Sequence, residues 1–215
     1  MVNYWSVPYI WHGATVVCVG GGPSLTAEQV EYCRGKARVI AINDAYKLAP
    51  WADVLYFCDD KWWMWHHKKL VEWQGMIVRL QGGKHDFGDQ RIKVLRNLDQ
   101  RDGLSDRQDG LHTGQNSGFQ AINLAALFGA ARILLLGYDM QVRMVGGLPK
   151  SHWFGDHPGG TSPRVYEQMV RHFPSLIEPL KKKGISIANC TPGSKLTCFP
   201  MSSIEQALPE ERAAA

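Results

Sequence analysis

Three groups of residues carry chemistry by their type and spacing. The first is Gly20-Gly21-Gly22-Pro23-Ser24, which follows an apolar run. Glycine lets backbone amides approach phosphate oxygens closely, and a helix starting near Thr26 would aim its first N–H groups at the same charge. Ser24 adds a hydroxyl donor. Pro23 and Leu25 break a G-x-G-x-x-G pattern and no Gly-Lys-Ser/Thr completes a P-loop, so a tight turn without ligand is the plain alternative. The second group is His152, Asp156 and His157, on a Gly- and Pro-rich stretch. Imidazole titrates near neutrality and can take a proton from a hydroxyl, with the carboxylate orienting the ring. With Asp59 or Asp139 the same trio could ligate Zn, Mn or Fe, though its spacing fits no established zinc motif, and solvated surface histidines are the bland reading. The third group, His112-Thr113-Gly114-Gln115-Asn116-Ser117-Gly118, leads into an apolar helix whose first amides offer a second anion site. An N-cap explains Asn116 or Ser117 singly but not the whole string.

Strand-like runs at 15–19, 38–42, 53–58, 76–80, 92–95, 132–136 and 185–188 must position these groups, alternating with helix-period segments at about 26–34, 61–73, 117–129 and 163–182. The strands read as continuous apolar runs, the pattern of parallel strands covered on both faces. The prediction is therefore α/β: a single-domain, Rossmann-like, doubly wound, mostly parallel sheet. Segments 81–112 and 141–162 have little periodicity and are expected as excursions, a lid-like loop over the sheet, with 206–215 as a tail. Ligands of such sheets lie beyond the carboxyl ends of the strands. Those ends carry Gly20–Ser24, Asn43-Asp44, Asp59-Asp60, Gly137-Tyr138-Asp139 and Asn189-Cys190-Thr191. A single polar residue there is a cap, whereas converging clusters point to a site. Adjacent strand residues face opposite ways, so one of Asp59 and Asp60 should face the ligand.

Composition narrows the partners. A length of 215 residues suits one domain, and a formal charge of +4 fits an anionic ligand without implying nucleic acid. Eight tryptophans favour stacking on sugars or bases, or simply fill a core. The run Trp62-Trp63-Met64-Trp65-His66-His67-Lys68-Lys69 could stack a ring or grip a phosphate backbone. The bland account buries Trp62, Trp65 and Trp73 and leaves the lysines in water. Lys181–Lys183 closes a helix and needs only the dipole. Five scattered cysteines and no secretory leader point to a reducing cytoplasm, and no apolar stretch is long enough to span a membrane.

Four strings in order, Gly20–Leu25, Ile42-Asn43-Asp44-Ala45, Thr113–Ala121 and Leu135–Met140, resemble one superfamily. It includes small bacterial sialyltransferases, the archaeal 6-hydroxymethylpterin diphosphokinase and phage-encoded members. Lys150–Pro158 and Asn189–Ser194 most resemble the phage (bacteriophage) members. The resemblance spans roughly residues 15–205 and implies a nucleotide site. In the sialyltransferases the turn reads Gly-Asn-Gly-Pro-Ser-Leu, so Gly21 stands where an asparagine helps hold cytidine monophosphate. Asn43 matches the asparagine ending strand two, Asp59 replaces the one ending strand three, and Asn116-Ser117 aligns with a Thr-Ser pair heading the supporting helix. Tyr138 falls near the phosphate-binding tyrosines. By the same resemblance a late-loop histidine is the base, His157 ahead of His152.

The leading expectation is a glycosyltransferase moving a sugar from a nucleotide-activated donor, CMP- or UDP-linked. Gly20, Gly21, Gly22, Ser24, Asn43, Asp59, Asn116, Ser117 and Tyr138 would hold the donor, while His157, His152 and Asp156 would supply the base and its orientation. No cofactor and no resident metal is required. The alternatives are a Mg²⁺-dependent, diphosphokinase-like phosphotransferase using Asp59, and a non-catalytic phage module binding nucleotide or nucleic acid. The acceptor is left open among a glycan, a small molecule and a modified DNA base, as is self-association into a homo-oligomer.

Overall fold

The computed structural model describes residues 3–83, 87–155 and 163–209. The strands are β1 (Thr15–Val19), β2 (Arg38–Ile42), β3 (Val54–Phe57), β4 (Met76–Leu80), β5 (Ile92–Asn97), β6 (Gly110–Leu111), β7 (Arg132–Leu136), β8 (Arg143–Val145), β9 (Leu148–Lys150) and β10 (Ser186–Asn189). The helices are α1 (Ala27–Tyr32), α2 (Asp60–His66), α3 (Ser117–Phe128), α4 (Pro163–Val170), α5 (Ile177–Lys182) and α6 (Ile204–Ala207). Eight strands make one sheet in the order β10-β7-β1-β2-β3-β4-β5-β6, with every neighbouring pair parallel. β8 and β9 form a separate antiparallel hairpin. This is the doubly wound α/β arrangement expected from the sequence.

Period two explains why the apolar runs are continuous. Val16, Cys18, Ile40, Ile42, Val54, Tyr56, Ile133 and Leu135 face one layer, packed with α3, Phe173, Leu176 and Leu180. Their neighbours Val17, Val19, Val39, Ala41, Leu55, Phe57, Leu134 and Leu136 face the other, with Val30, Trp62, Trp63, Ile204 and Ala207. Each strand residue thus has a helix over it whichever way it points. Cys18 lies fully buried in the first layer, where loss of water pushes its thiol up to about 12, and all five cysteines are free.

From β1 the chain steps outward through β2 to β6, and α3 then carries it back across the sheet to β7 on the other side of β1. The strand order therefore reverses beside β1, which is where an open α/β sheet leaves a crevice.

Four expectations need correction. Segment 81–112 is more than an excursion around the strand expected at 92–95: that strand is β5, and the unexpected β6 extends the sheet beyond it. The helix expected over 163–182 is broken into α4, a 3-10 turn at Phe173–Leu176 and α5, because Pro174 has no N–H to continue a helix. The tail expected from 206 begins later: Ala207 and Leu208 are buried, and the Tyr32 hydroxyl donates to Leu208 O at 2.8 Å. In α2, Trp62 and Trp63 are buried but Trp65 is 48% exposed. Among the described residues no helix is long and apolar enough to cross a membrane.

Candidate functional site

A partly open cleft of about 120 Å³ lies at the carboxyl ends of β1, β2 and β7. The β1 tip contributes Gly20, Gly21 and Gly22, the β2 tip Ile42, Asn43 and Asp44, and the β7 tip Gly137 to Gln141. Asn116, Ser117 and Gly118 come from the start of α3, and Ser151, His152, Phe154 and Tyr166 close it from the segment after β9 and from α4.

The glycine turn divides into two roles. Gly20 N–H donates to Leu136 O at 2.7 Å and Gly22 N–H to Gly137 O at 2.8 Å, so these amides are spent on β7. A Cβ on Gly20 would come within 2.7 Å of Gly137 O, and one on Gly22 within 2.0 Å of Asp139 Oδ2. Both glycines are there because two strand tips meet. Gly21 differs: a Cβ there would lie 3.2 Å from His152 Cδ2, and its N–H meets no acceptor among the described residues.

The helix N-terminus facing the cleft is that of α3, not α1. α1 begins at Ala27 under a capping box, Thr26 accepting from Gln29 N–H at 3.3 Å while Gln29 accepts from Thr26 N–H at 3.2 Å. At α3, Asn116 Oδ1 accepts from Phe119 N–H at 3.1 Å, and Asn116 O accepts from Gln120 N–H at 3.1 Å. The Ser117 and Gly118 amides are left without an acceptor among the described residues, as first-turn amides are in any helix. Two non-glycine residues lining the cleft are in left-handed conformation, Asn43 (φ 50°) and Met140 (φ 52°), as is Gln115 (φ 52°) just before the lining Asn116. Such strain clusters at functional sites. Asn43 Oδ1 is buried without a hydrogen-bond partner.

Two buried carboxylates flank β1. Asp44 accepts from Trp62 Nε1 at 2.8 Å and from Lys47, with His66 Nε2 at 3.7 Å. Burial would raise its pKa, but Lys47, Trp62 and His66 together reverse that and hold the carboxyl below its usual range. Asp139 accepts from Ser24 Oγ at 2.9 Å and pairs with Arg143 Nε at 2.5 Å. Here burial outweighs both partners and the pKa rises. Among the described residues no lysine or arginine lines the cleft. An anion there would be held by neutral donors, the free amides first.

The sequence-predicted residues therefore scatter. Gly20, Gly21, Gly22, Asn43, Asn116, Ser117, Tyr138 and His152 all line the cleft. Ser24 does not, because its hydroxyl is turned onto Asp139. Asp59 does not either: it is exposed at the start of α2, two strands from β1. Its neighbour Asp60 is committed to Arg79 at 2.7 Å. Tyr138 is 2% exposed, and its hydroxyl donates to Gly118 O at 3.1 Å, so the phenol braces α3 against β7. His152 stacks on Phe154, with centroids 5.0 Å apart. Asp156 and His157 lie outside the described residues. Among those that are described, no three His, Cys, Asp or Glu side chains are grouped to hold a metal. Sequence reasoning gave Asp44, Phe154 and Tyr166 no role of their own in the site, whereas Gly118 belongs to the string expected to bind an anion. Asp44 sits beside Asn43 at a strand end and was visible in principle. Tyr166 was not, since nothing in the pattern of α4 says which face meets the sheet.

Among solved structures the chain is similar to the sialyltransferase CstII from Campylobacter jejuni, determined in complex with a substrate analogue, cytidine-5'-monophosphate. The two share 14% identity at a TM-score of 0.51, covering 89% of this chain and 86% of that one. The chain has a sialyltransferase-like fold. No protein-family model matches the sequence, and no curated protein does.

Proposed function

We propose that this protein is a glycosyltransferase drawing its sugar from a nucleotide-activated donor. The observation that supports this most is the convergence of three uncommitted amides, Gly21, Ser117 and Gly118, on one cleft that also holds His152. The fold agrees, being like that of a sialyltransferase solved with a substrate analogue, cytidine-5'-monophosphate. In this reading the amides take the donor phosphate, and Asn43 Oδ1 takes a hydrogen bond from the nucleoside. His152 accepts the proton of the acceptor hydroxyl as its oxygen bonds to the anomeric carbon and the carbon–oxygen bond to phosphate breaks. The amides then stabilise the charge left on the departing phosphate. His157 stays a second candidate for the base, with Asp156 beside it to orient the ring.

A thermal-unfolding screen against nucleotides and nucleotide sugars tests the reading. Cytidine or uridine nucleotides at 100 times their Kd should add about 2.7 kcal/mol of stability. His152→Ala should lower kcat by ~10²- to 10⁴-fold while leaving nucleotide affinity within a few-fold. Absence of stabilisation by every nucleotide would sink the proposal. Full activity in His152→Ala would move the base to His157.

A further inference from the structure

α2 carries large apolar side chains on both of its faces, and the packing of the fold uses only one. Trp62, Trp63 and His66 supply the inner face and are buried. On the outer face Met64 is 61% exposed and Trp65 48%. A helix packed on one side is polar on the other, so the core does not account for these two. A 3-10 turn (His67–Lys69) continues α2 and leads to Val71, which is 70% exposed while its neighbour Leu70 is buried. Arg91 donates to Leu70 O at 2.8 Å and to Val71 O at 3.2 Å, which fixes the backbone there. Lys61 shares the face of Met64 and Trp65, and the turn adds Lys68 and Lys69; all three lysines are exposed. Among the described residues none of these lysines makes an ion pair. We propose that this face docks the protein on an anionic lipid bilayer. The lysines meet the headgroups, and Trp65, Met64 and Val71 enter the boundary beneath them. This stands apart from the glycosyltransferase reading, since no residue of the patch lines the cleft.

Charge and chemistry choose the bilayer. Over residues 59–72 the exposed acids are Asp59 and Glu72, with Asp60 held by Arg79, so the lysines outnumber them. The whole chain adds a formal charge of +4. A second copy of the chain fits poorly, because a twofold contact would set these lysines against themselves. A nucleic acid is gripped by stacked rings and arginine. Met64 and Val71 offer no flat face, and Arg91 is occupied by Asp89 and backbone carbonyls. A bilayer interface matches every part. Lysine stems extend to the phosphates, an indole sits at headgroup level, and aliphatic side chains reach the acyl boundary. α2 is seven residues long and packs along the sheet, so the contact is peripheral.

Flotation of the full chain with vesicles tests this, using equal parts phosphatidylcholine and phosphatidylglycerol, or phosphatidylcholine alone. Wild type should float with the anionic vesicles at low salt and be released at high salt. It should bind the neutral vesicles on the order of 10- to 100-fold more weakly. The triple variant Lys61→Gln, Lys68→Gln, Lys69→Gln should bind anionic vesicles on the order of 100-fold more weakly, about five-fold for each lysine. Brominated lipid should quench tryptophan fluorescence in wild type and much less in Trp65→Phe. The substituted positions are exposed, so the variants should keep the wild-type Tm. Failure of wild type to bind anionic vesicles overturns the proposal, and so does undiminished binding by the triple variant. Equal binding to both kinds of vesicle overturns the role of the lysines. Capture of a single-stranded oligonucleotide without vesicle binding makes nucleic acid the partner and overturns the bilayer. A dimer that dissociates in Trp65→Ser, again without vesicle binding, overturns it in favour of a second copy.

Discussion

Asp44 and Asp139 occupy matching places and behave oppositely. Each sits just beyond a strand flanking β1, each is almost wholly buried, each lines the same cleft, and each has a cation within the next few residues, Lys47 or Arg143. Yet the Asp44 carboxyl is held below the usual range and that of Asp139 is pushed above it. The difference lies in what else reaches them. Asp44 has the indole N–H of Trp62 and the imidazole of His66, both delivered by α2. Among the described residues Asp139 has, besides its arginine, Ser24 alone, and that arginine is shared with the Pro192 carbonyl. A buried carboxylate is therefore stabilised by how many donors the fold can bring to it, and one matched charge is not enough to offset desolvation.

The strongest way to break the symmetry is through the glycines between them. Gly22→Ala would drive a Cβ into the Asp139 carboxylate and the Gly137 carbonyl, forcing the β1 and β7 tips apart. A loss of about 3 kcal/mol or more is expected in urea denaturation, together with loss of ligand binding. Gly21→Ala meets only the edge of the His152 ring at 3.2 Å. It should cost under ~1 kcal/mol, and its effect should appear in ligand affinity instead. Equal destabilisation by the two would mean that the three glycines form one uniform turn.

That contrast also marks how far the sequence could be read. Continuous apolar runs place seven of the eight sheet strands, because burial on both faces leaves an unmistakable composition. β6 is missed, since two residues, Gly110 and Leu111, carry no periodicity. Gly20, Gly21 and Gly22 look identical in sequence, and only packing against Gly137 and Asp139 tells a spacing glycine from one that faces the cleft. Asp59 illustrates the converse error. It has the right residue type at a strand end, but β3 lies two strands from β1 and its tip falls outside the cleft. By sequence the Trp62–Lys69 run suits a ligand platform or plain core. Trp62, Trp63 and His66 are core while Met64 and Trp65 stay exposed, and the buried part also buttresses: Trp62 stacks on His66 with centroids 4.6 Å apart while its N–H reaches Asp44.

A middle-sized effect should follow from removing one donor at each carboxylate. Trp62→Phe deletes the indole N–H and leaves a gap in the second core layer, for a loss of about 2 kcal/mol. Ser24→Ala removes one hydroxyl bond from Asp139, for a loss of about 1 kcal/mol. If donor number is what separates the two acids, nuclear magnetic resonance titration should show Asp44 in Trp62→Phe moving up toward the behaviour of Asp139. In Ser24→Ala, Asp139 should move further up. Unchanged titration of Asp44 in Trp62→Phe would assign the difference to Lys47 and His66.

The smallest effect, and the one that separates the two acids by sign, is the pH dependence of stability. A carboxyl depressed in the folded state contributes stability that is complete above its unfolded value and is lost as pH falls through the folded one. For Asp44 that loss lies below the ordinary 3.8. A carboxyl raised in the folded state does the reverse: its contribution is complete below 3.8 and is lost as pH rises through the elevated folded value. Urea denaturation of Asp44→Asn and Asp139→Asn from pH 2 upward, each measured against wild type, should therefore give opposite trends. The gap between wild type and Asp44→Asn should widen as pH rises toward 3.8, because only wild type gains. The gap for Asp139→Asn should move in the variant's favour as pH rises above 3.8, because only wild type loses. Parallel trends would show that Arg143 compensates Asp139 as fully as Lys47, Trp62 and His66 compensate Asp44.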